Sequence, residues 1–86
     1  MPKVTIYTKD YCPYCTKAKN LLQRKGVKDI TEIDITHSEA IQQEMISKSS
    51  GKKTVPQIFI GDTHVGGCDD LYALESAGKL SDLLAK

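Results

Sequence analysis

Two cysteines three residues apart, Cys12 and Cys15, constrain this chain of 86 residues more than any other feature. Pro13 follows the first of them, and proline suits the first turn of a helix because its missing N–H has no partner there. Apolar residues then recur at helical spacing on one face: Ala18, Leu21 and Leu22. The sequence therefore predicts Cys12 at a strand-to-helix turn and Cys15 about one turn inside the helix.

This placement gives the two thiols different chemistry. The thiolate, and not the thiol, is the nucleophile. The unpaired N–H groups and the positive end of a helix favour an anion at Cys12, and Lys9 adds a positive charge three residues earlier. Cys15 is expected to be less exposed and less activated. We therefore predict that Cys12 attacks a disulfide and that Cys15 resolves the product.

Two other interpretations of the role of the cysteines remain open: a structural disulfide and a zinc site. A structural disulfide is disfavoured, because the chain enters its first strand without a secretory leader and the pair would close too small a loop. A zinc site needs four ligands, which Cys12, Cys15, His64 and Cys68 can in principle supply. The second pair has unusual spacing for zinc, so a redox pair is the stronger interpretation.

The composition of the chain limits the classes of partner that we expect it to bind. The chain is 40% hydrophobic and 27% charged, which is ordinary for a single soluble domain. Its net charge is only +1, and it has one Phe and no Trp. Such a chain has no strong field or basic aromatic stripe, so we expect neither nucleic acid nor a membrane as partner. Without an apolar leader or a long hydrophobic run, the expected location is cytoplasmic.

The order of elements predicts the fold class. Alternation and helical periodicity indicate strands at 4–8, 30–35, 57–60 and 63–66, and helices from 13, 36, 69 and 80. A capping box from Thr36 to Glu39 is expected to start the second helix, which would bury Ile41 and Met45 and end near Lys48. The order β-α-β-α-β-β-α predicts an α/β fold with a four-stranded mixed sheet flanked by helices.

Three separated motifs carry a resemblance to a known family: Cys12-Pro13-Tyr14-Cys15, Thr54-Val55-Pro56 and Gly66-Gly67-Cys68-Asp69-Asp70. In this order and spacing they resemble the glutaredoxins, small members of the thioredoxin superfamily. Because Cys15 is present, the first motif resembles that of the dithiol, bacterial-type glutaredoxins. The resemblance covers essentially the whole chain and implies that residues 1–86 form a single glutaredoxin domain with a thioredoxin-like fold.

The resemblance also implies a glutathione site, made of Lys9, Tyr14, Thr54, Val55, Pro56, Gly67, Cys68 and Asp69. In such a site the Val55–Pro56 bond is cis, and the Val55 backbone pairs with glutathione like an added strand. Lys9 would meet the glycine carboxylate and Tyr14 would form a wall. Helix N–H groups at Cys68 and Asp69 would bind the γ-glutamyl carboxylate, and the Asp69 side chain would pair with the γ-glutamyl ammonium.

The implied activity is glutathione-dependent thiol–disulfide exchange, with Cys12 as nucleophile and Cys15 as resolving thiol. Glutathione would be a co-substrate, with no tightly bound cofactor and no metal. The expected partners are glutathione and disulfide-containing or glutathionylated proteins, and the expected state is a monomer. Cys68 is expected to be a passive small residue. Two alternatives remain: a related protein reduced by thioredoxin reductase, and a metal or iron–sulfur carrier.

Overall fold

The computed structural model describes residues 2–86. Its elements are β1 (Val4–Thr8), α1 (Pro13–Arg24), β2 (Ile30–Asp34), α2 (Glu39–Lys48), β3 (Gln57–Ile60), β4 (Thr63–Gly66), α3 (Cys68–Ser76) and α4 (Leu80–Leu84). The strands form one sheet in the order β2-β1-β3-β4. β1 runs parallel to β2 and antiparallel to β3, and β4 is antiparallel to β3. The predicted four-stranded mixed sheet is confirmed.

Strand β1 lies at the centre of the molecule and is buried on both faces. Successive side chains of a strand point to opposite sides. Val4 and Ile6 accordingly join the larger apolar cluster, which includes residues of α1, α3 and α4. Tyr7 joins the smaller cluster on the opposite face, with Met45 of α2 and Ile35. The sheet thus separates the two clusters, and the end of β1 leads into the loop that carries Cys12.

The start of α2 differs from the prediction. The helix begins at Glu39, and its N-cap is Ser38, whose Oγ accepts the Ile41 N–H at 3.2 Å. The capping box predicted from Thr36 to Glu39 is therefore wrong. Serine and threonine both cap helices well, and only the path of the chain decides between two candidates so close together.

Thr36 has another role, because it ties the end of β2 to the loop that precedes α1. Its hydroxyl accepts the Asp10 N–H at 2.8 Å, and its own N–H donates to Asp34 Oδ1 at 2.7 Å. These bonds hold Thr36 in a turn, where short polar side chains compete with helix formation. Ile35, predicted as the last strand residue, lies just beyond β2 and is buried.

Glycine is required at Gly66, where β4 turns into α3. Its φ angle is +113°, a conformation that side chains rarely adopt. A Cβ atom there would also collide with the carboxylate of Asp70. That carboxylate is fixed, since it accepts the Gly67 N–H at 2.9 Å. Gly67 differs, because its φ is −91° and a Cβ would lie 3.6 Å from the Pro56 carbonyl oxygen.

We expect Gly66→Ala to lower the free energy of unfolding by about 1–3 kcal/mol, because it combines a strained φ with a steric clash. Gly67→Ala is the matched control and should change stability much less. Urea unfolding followed by circular dichroism measures both. Equal stability of the two variants would contradict the assignment of Gly66 to a glycine-only position.

Candidate functional site

A sulfur atom caps the first helix. Cys12 has extended backbone angles, φ −128° and ψ 97°, and it is the N-cap of α1. The Cys15 N–H donates to Cys12 Sγ at 3.2 Å, where a serine or aspartate oxygen ordinarily accepts. Pro13 occupies the first turn, as the sequence predicts. A negative charge on this sulfur would lie at the positive end of the helix and accept a backbone N–H.

Cys15 is held as a neutral thiol. Its side chain is 3% exposed, whereas Cys12 is partly exposed. Burial, followed by the hydrogen bond and the negative charge of Cys12, raises the pKa of Cys15 to about 12. The Lys9 backbone N–H and the Lys19 charge oppose this effect. The exposed sulfur is thus the one available to attack, which supports the predicted division of roles.

A groove of about 340 Å³ brings together seven of the eight residues predicted to bind glutathione. These seven are Tyr14, Thr54, Val55, Pro56, Gly67, Cys68 and Asp69. Sequence reasoning missed other residues of its lining, above all Lys52 and Gln57. Gln57 directly follows the Thr54-Val55-Pro56 motif, but nothing in the sequence shows that its side chain turns back towards the groove.

Lys9 is the predicted residue that the groove does not include. It lines a second hollow of similar volume, about 340 Å³, together with Cys12, Cys15 and Lys19. This hollow also contains Thr8 and Asp34, the last residues of β1 and β2, so it lies where these two strands end. Lys52 is therefore the basic side chain inside the groove, and Lys9 belongs to the hollow that contains the active thiols.

The backbone of Val55 is available for pairing. The Val55–Pro56 peptide bond is cis, as the resemblance implies. Among residues 2–86, the protein's own hydrogen bonds leave the Val55 N–H and C=O unused. Such groups at a groove wall are suited to an extended peptide that binds in the manner of an added strand.

The start of α3 gives neighbouring aspartates different roles. The helix begins at Cys68, one residue earlier than predicted, with Gly67 as its N-cap. The Asp70 carboxylate caps it by accepting the Gly67 N–H at 2.9 Å. Asp69 is exposed, and its carboxylate has no hydrogen bond or ion pair within the described chain. Asp69 is thus free to meet a cation in the groove beside the N–H groups of the helix start.

Cys68 and His64 do not cluster with Cys12 and Cys15 among residues 2–86. Burial, with smaller effects of Asp69 and Cys12, raises the pKa of Cys68 against the opposing charge of Lys17. The His64 ring bonds to Gln57 instead of pointing to the thiols. Across residues 2–86, no cluster of three or more histidine, cysteine or acidic side chains is arranged to hold a metal ion.

Comparison with known proteins settles the family. The family model for glutaredoxin matches residues 4–65. A glutaredoxin of Pseudomonas aeruginosa is 59% identical over 85 residues, which is 99% of each chain. The chain belongs to the glutaredoxin family. As a glutaredoxin it has the thioredoxin-like fold and is a thiol–disulfide oxidoreductase, which confirms the family and fold predicted from its motifs.

Solved glutaredoxin structures are similar to it over nearly the whole chain. The solution structure of a glutaredoxin from Brucella melitensis has a TM-score of 0.84 at 56% identity, over 98% of this chain and 89% of that one. The crystal structure of a buckwheat glutaredoxin–glutathione complex has a TM-score of 0.86 at 32% identity, over 98% and 77%. From residue 2 to residue 86, no helix is both long and apolar enough to cross a membrane.

The raised pKa values predict selective alkylation. A thiol with a pKa of about 12 is thiolate in only about one molecule in 10⁵ at pH 7, so Cys15 should react very slowly with iodoacetamide. Cys68 should also be slow, because burial protects it and raises its pKa. Peptide mapping by mass spectrometry after brief labelling should find Cys12 modified.

The Cys12→Ser variant is the control for this experiment. Burial, the largest cause of the raised pKa of Cys15, persists in that variant, so labelling should remain slow at neutral pH. Rapid labelling of Cys15 or Cys68 in the native protein would contradict the assignment of Cys12 as the reactive thiol.

Proposed function

We propose that this protein is a glutathione-dependent thiol–disulfide oxidoreductase that acts through Cys12 and Cys15. One observation carries the proposal: a groove next to Tyr14 of α1 is lined by both the unpaired Val55 backbone and the free Asp69 carboxylate. The structurally similar buckwheat protein, whose complex contains glutathione, supports glutathione as the ligand. The reaction then follows from the different states of the two thiols.

The first step is an attack by the Cys12 thiolate on a substrate disulfide. A Cys12–substrate disulfide forms, the substrate S–S bond breaks, and the departing sulfur leaves as a thiolate. If the substrate is a glutathionylated protein, Cys12 takes the glutathione moiety and releases the protein thiol. A second glutathione then attacks the Cys12 disulfide, restores the Cys12 thiolate and leaves as oxidised glutathione.

A protein disulfide requires Cys15 for the second step. Once Cys12 is in a mixed disulfide, its negative charge and its accepting sulfur no longer raise the pKa of Cys15, although burial still does. The Lys19 charge, which acts in the opposite direction, remains. Cys15 therefore becomes easier to deprotonate when it is needed. It attacks Cys12 Sγ, gives its proton to the departing thiolate, and leaves a Cys12–Cys15 disulfide that two glutathione molecules reduce.

The groove recognises glutathione at the γ-glutamyl end, at the glycine end and at the central cysteine moiety. The cysteine moiety pairs with the Val55 backbone, which no protein group within residues 2–86 occupies. The γ-glutamyl carboxylate binds the N–H groups at the start of α3, and its ammonium pairs with Asp69. Lys52 lines the groove with these groups and Lys9 lines the hollow that contains Cys12, so both basic side chains are candidates for the glycine carboxylate.

Serine variants of the two cysteines separate the two reactions. Cys12→Ser should abolish both, since the attacking sulfur is missing. Cys15→Ser should keep the reduction of glutathione mixed disulfides and lose most reduction of protein disulfides, because only the latter needs a resolving thiol. Coupled assays with glutathione and glutathione reductase, or with thioredoxin reductase, measure both. Efficient turnover with thioredoxin reductase alone would contradict glutathione dependence.

Asp69→Asn tests how the γ-glutamyl end is held. The variant keeps the side-chain shape and loses the charge pair, which in an open groove contributes about 0–1 kcal/mol. We expect kcat/KM to fall about 2- to 5-fold for a glutathione mixed disulfide and to stay unchanged for a cysteamine mixed disulfide. Asp62→Asn is the matched control, since it removes the same charge from an exposed position outside the groove. Equal effects of both variants, or equal losses with both substrates, would remove Asp69 from the binding site.

A further inference from the structure

A buried glutamine links the groove to the edge strand β4 of the sheet. Gln57, the first residue of β3, is 2% exposed. Its Nε2 donates to the Thr54 carbonyl oxygen at 2.9 Å and to Thr54 Oγ1 at 3.2 Å. Its Oε1 lies 2.8 Å from His64 Nε2 on β4. We call these three residues, His64, Gln57 and Thr54, the polar relay.

The chemistry of the acceptors fixes the direction of every bond in the polar relay. The Thr54 carbonyl can only accept, so the NH₂ group of Gln57 must face it. The Gln57 oxygen must then face His64, and His64 must donate from Nε2. Both the neutral tautomer protonated at Nε2 and the imidazolium satisfy this requirement. The relay therefore persists whichever of these two forms His64 adopts.

Packing holds the ring of His64, the hydrogen-bond donor of the polar relay, in place. The His64 ring stacks on Phe59, with 4.8 Å between ring centroids and 30° between planes. Phe59 in turn meets Tyr7 of β1 edge-on at 5.8 Å. His64 and Phe59 are also directly paired across β3 and β4. The His64 nitrogen is thus fixed by the sheet, whereas Thr54 is an exposed residue outside any strand.

We propose that His64 is a positioning residue for the groove: through Gln57 it holds Thr54, and with it the Thr54–Pro56 segment, in the arrangement that binds glutathione. This inference rests on the proposed function, because it assumes that the segment binds glutathione. A ligand that pairs with a fixed backbone does not have to order that backbone when it binds. The polar relay orders the Thr54–Pro56 segment before the ligand binds. It does so from His64, whose side chain does not line the groove.

Loss of the His64 Nε2–H donor should affect Thr54, at the other end of the polar relay, through Gln57. Without His64 Nε2–H, the Gln57 oxygen is buried with no partner, which is costly unless the amide reorients. Reorientation towards other donors breaks one or both bonds to Thr54. The Val55 backbone then varies in position, so KM for a glutathione mixed disulfide should rise while the chemistry at Cys12 stays intact.

Two variants of His64 separate hydrogen bonding from packing. His64→Phe keeps a ring that can stack on Phe59 and removes the donor, whereas His64→Gln removes the ring and keeps an amide donor at a similar position. We expect His64→Phe to raise KM for a glutathione mixed disulfide about 3- to 10-fold, the range of one lost hydrogen bond, and to leave kcat/KM for a cysteamine mixed disulfide unchanged. His64→Gln should restore much of the loss. Thr63→Ala, at an exposed position of the same strand, is the neutral control.

A double variant of Gln57 and His64 tests whether His64 affects KM through Gln57. Gln57→Met cannot donate to Thr54, so the double variant with His64→Phe should have the same KM as Gln57→Met alone. Additive losses would show that His64 acts independently of Gln57 and would overturn the proposal. So would an unchanged KM in His64→Phe, or equal losses with both disulfides that His64→Gln does not restore.

A spectroscopic measurement tests the relay independently of glutathione. In ¹H–¹⁵N spectra, the Gln57 side-chain NH₂ protons should be protected from exchange in the wild type and in His64→Gln. They should lose protection in His64→Phe, with a shift of the Val55 amide signal. Unchanged protection would overturn the relay. If the wild type shows no preference for the glutathione mixed disulfide over the cysteamine one, the proposed function fails, and this spectrum still decides the relay.

Discussion

The hydrogen bond from the Cys15 N–H to Cys12 Sγ, 3.2 Å long, is the contact on which the active site depends. It starts α1 at a sulfur atom, which places that sulfur at the positive end of a helix and next to solvent. The same first turn carries Cys15 into the protein, where its side chain is 3% exposed. One local geometry therefore leaves the Cys12 sulfur partly exposed and buries the Cys15 sulfur.

The groove is assembled from segments that are far apart in the sequence. Tyr14 comes from α1, the Thr54–Pro56 segment precedes β3, and Gly67 to Asp69 begin α3. The sheet order β2-β1-β3-β4 brings them together, because β1 and β3 are neighbours and β4 leads directly into α3. Burial of β1 on both faces stabilises this arrangement.

Local signals predicted the elements, and long-range contacts explain what the sequence did not reveal. Cys12 followed by Pro13 is a pattern typical of helix N-termini, and it acts within one turn. The start of α2 was misplaced because Thr36 bonds to Asp10, which is 26 residues away. The separation of Lys9 from the groove and the inclusion of Lys52 depend on the packing of whole elements. The link from His64 to Thr54 requires the pairing of β3 with β4, which spacing alone does not reveal.

The most direct test of the central claim is the NMR map of glutathione bound to Cys12. The Cys15→Ser variant can be trapped as its Cys12–glutathione mixed disulfide and compared with the reduced variant by ¹H–¹⁵N spectra. We predict the largest amide shifts at Val55, Cys68 and Asp69, with the Val55 amide newly protected from exchange. Shifts concentrated instead at Lys19 and Glu32, in the hollow that contains Lys9, would contradict the account.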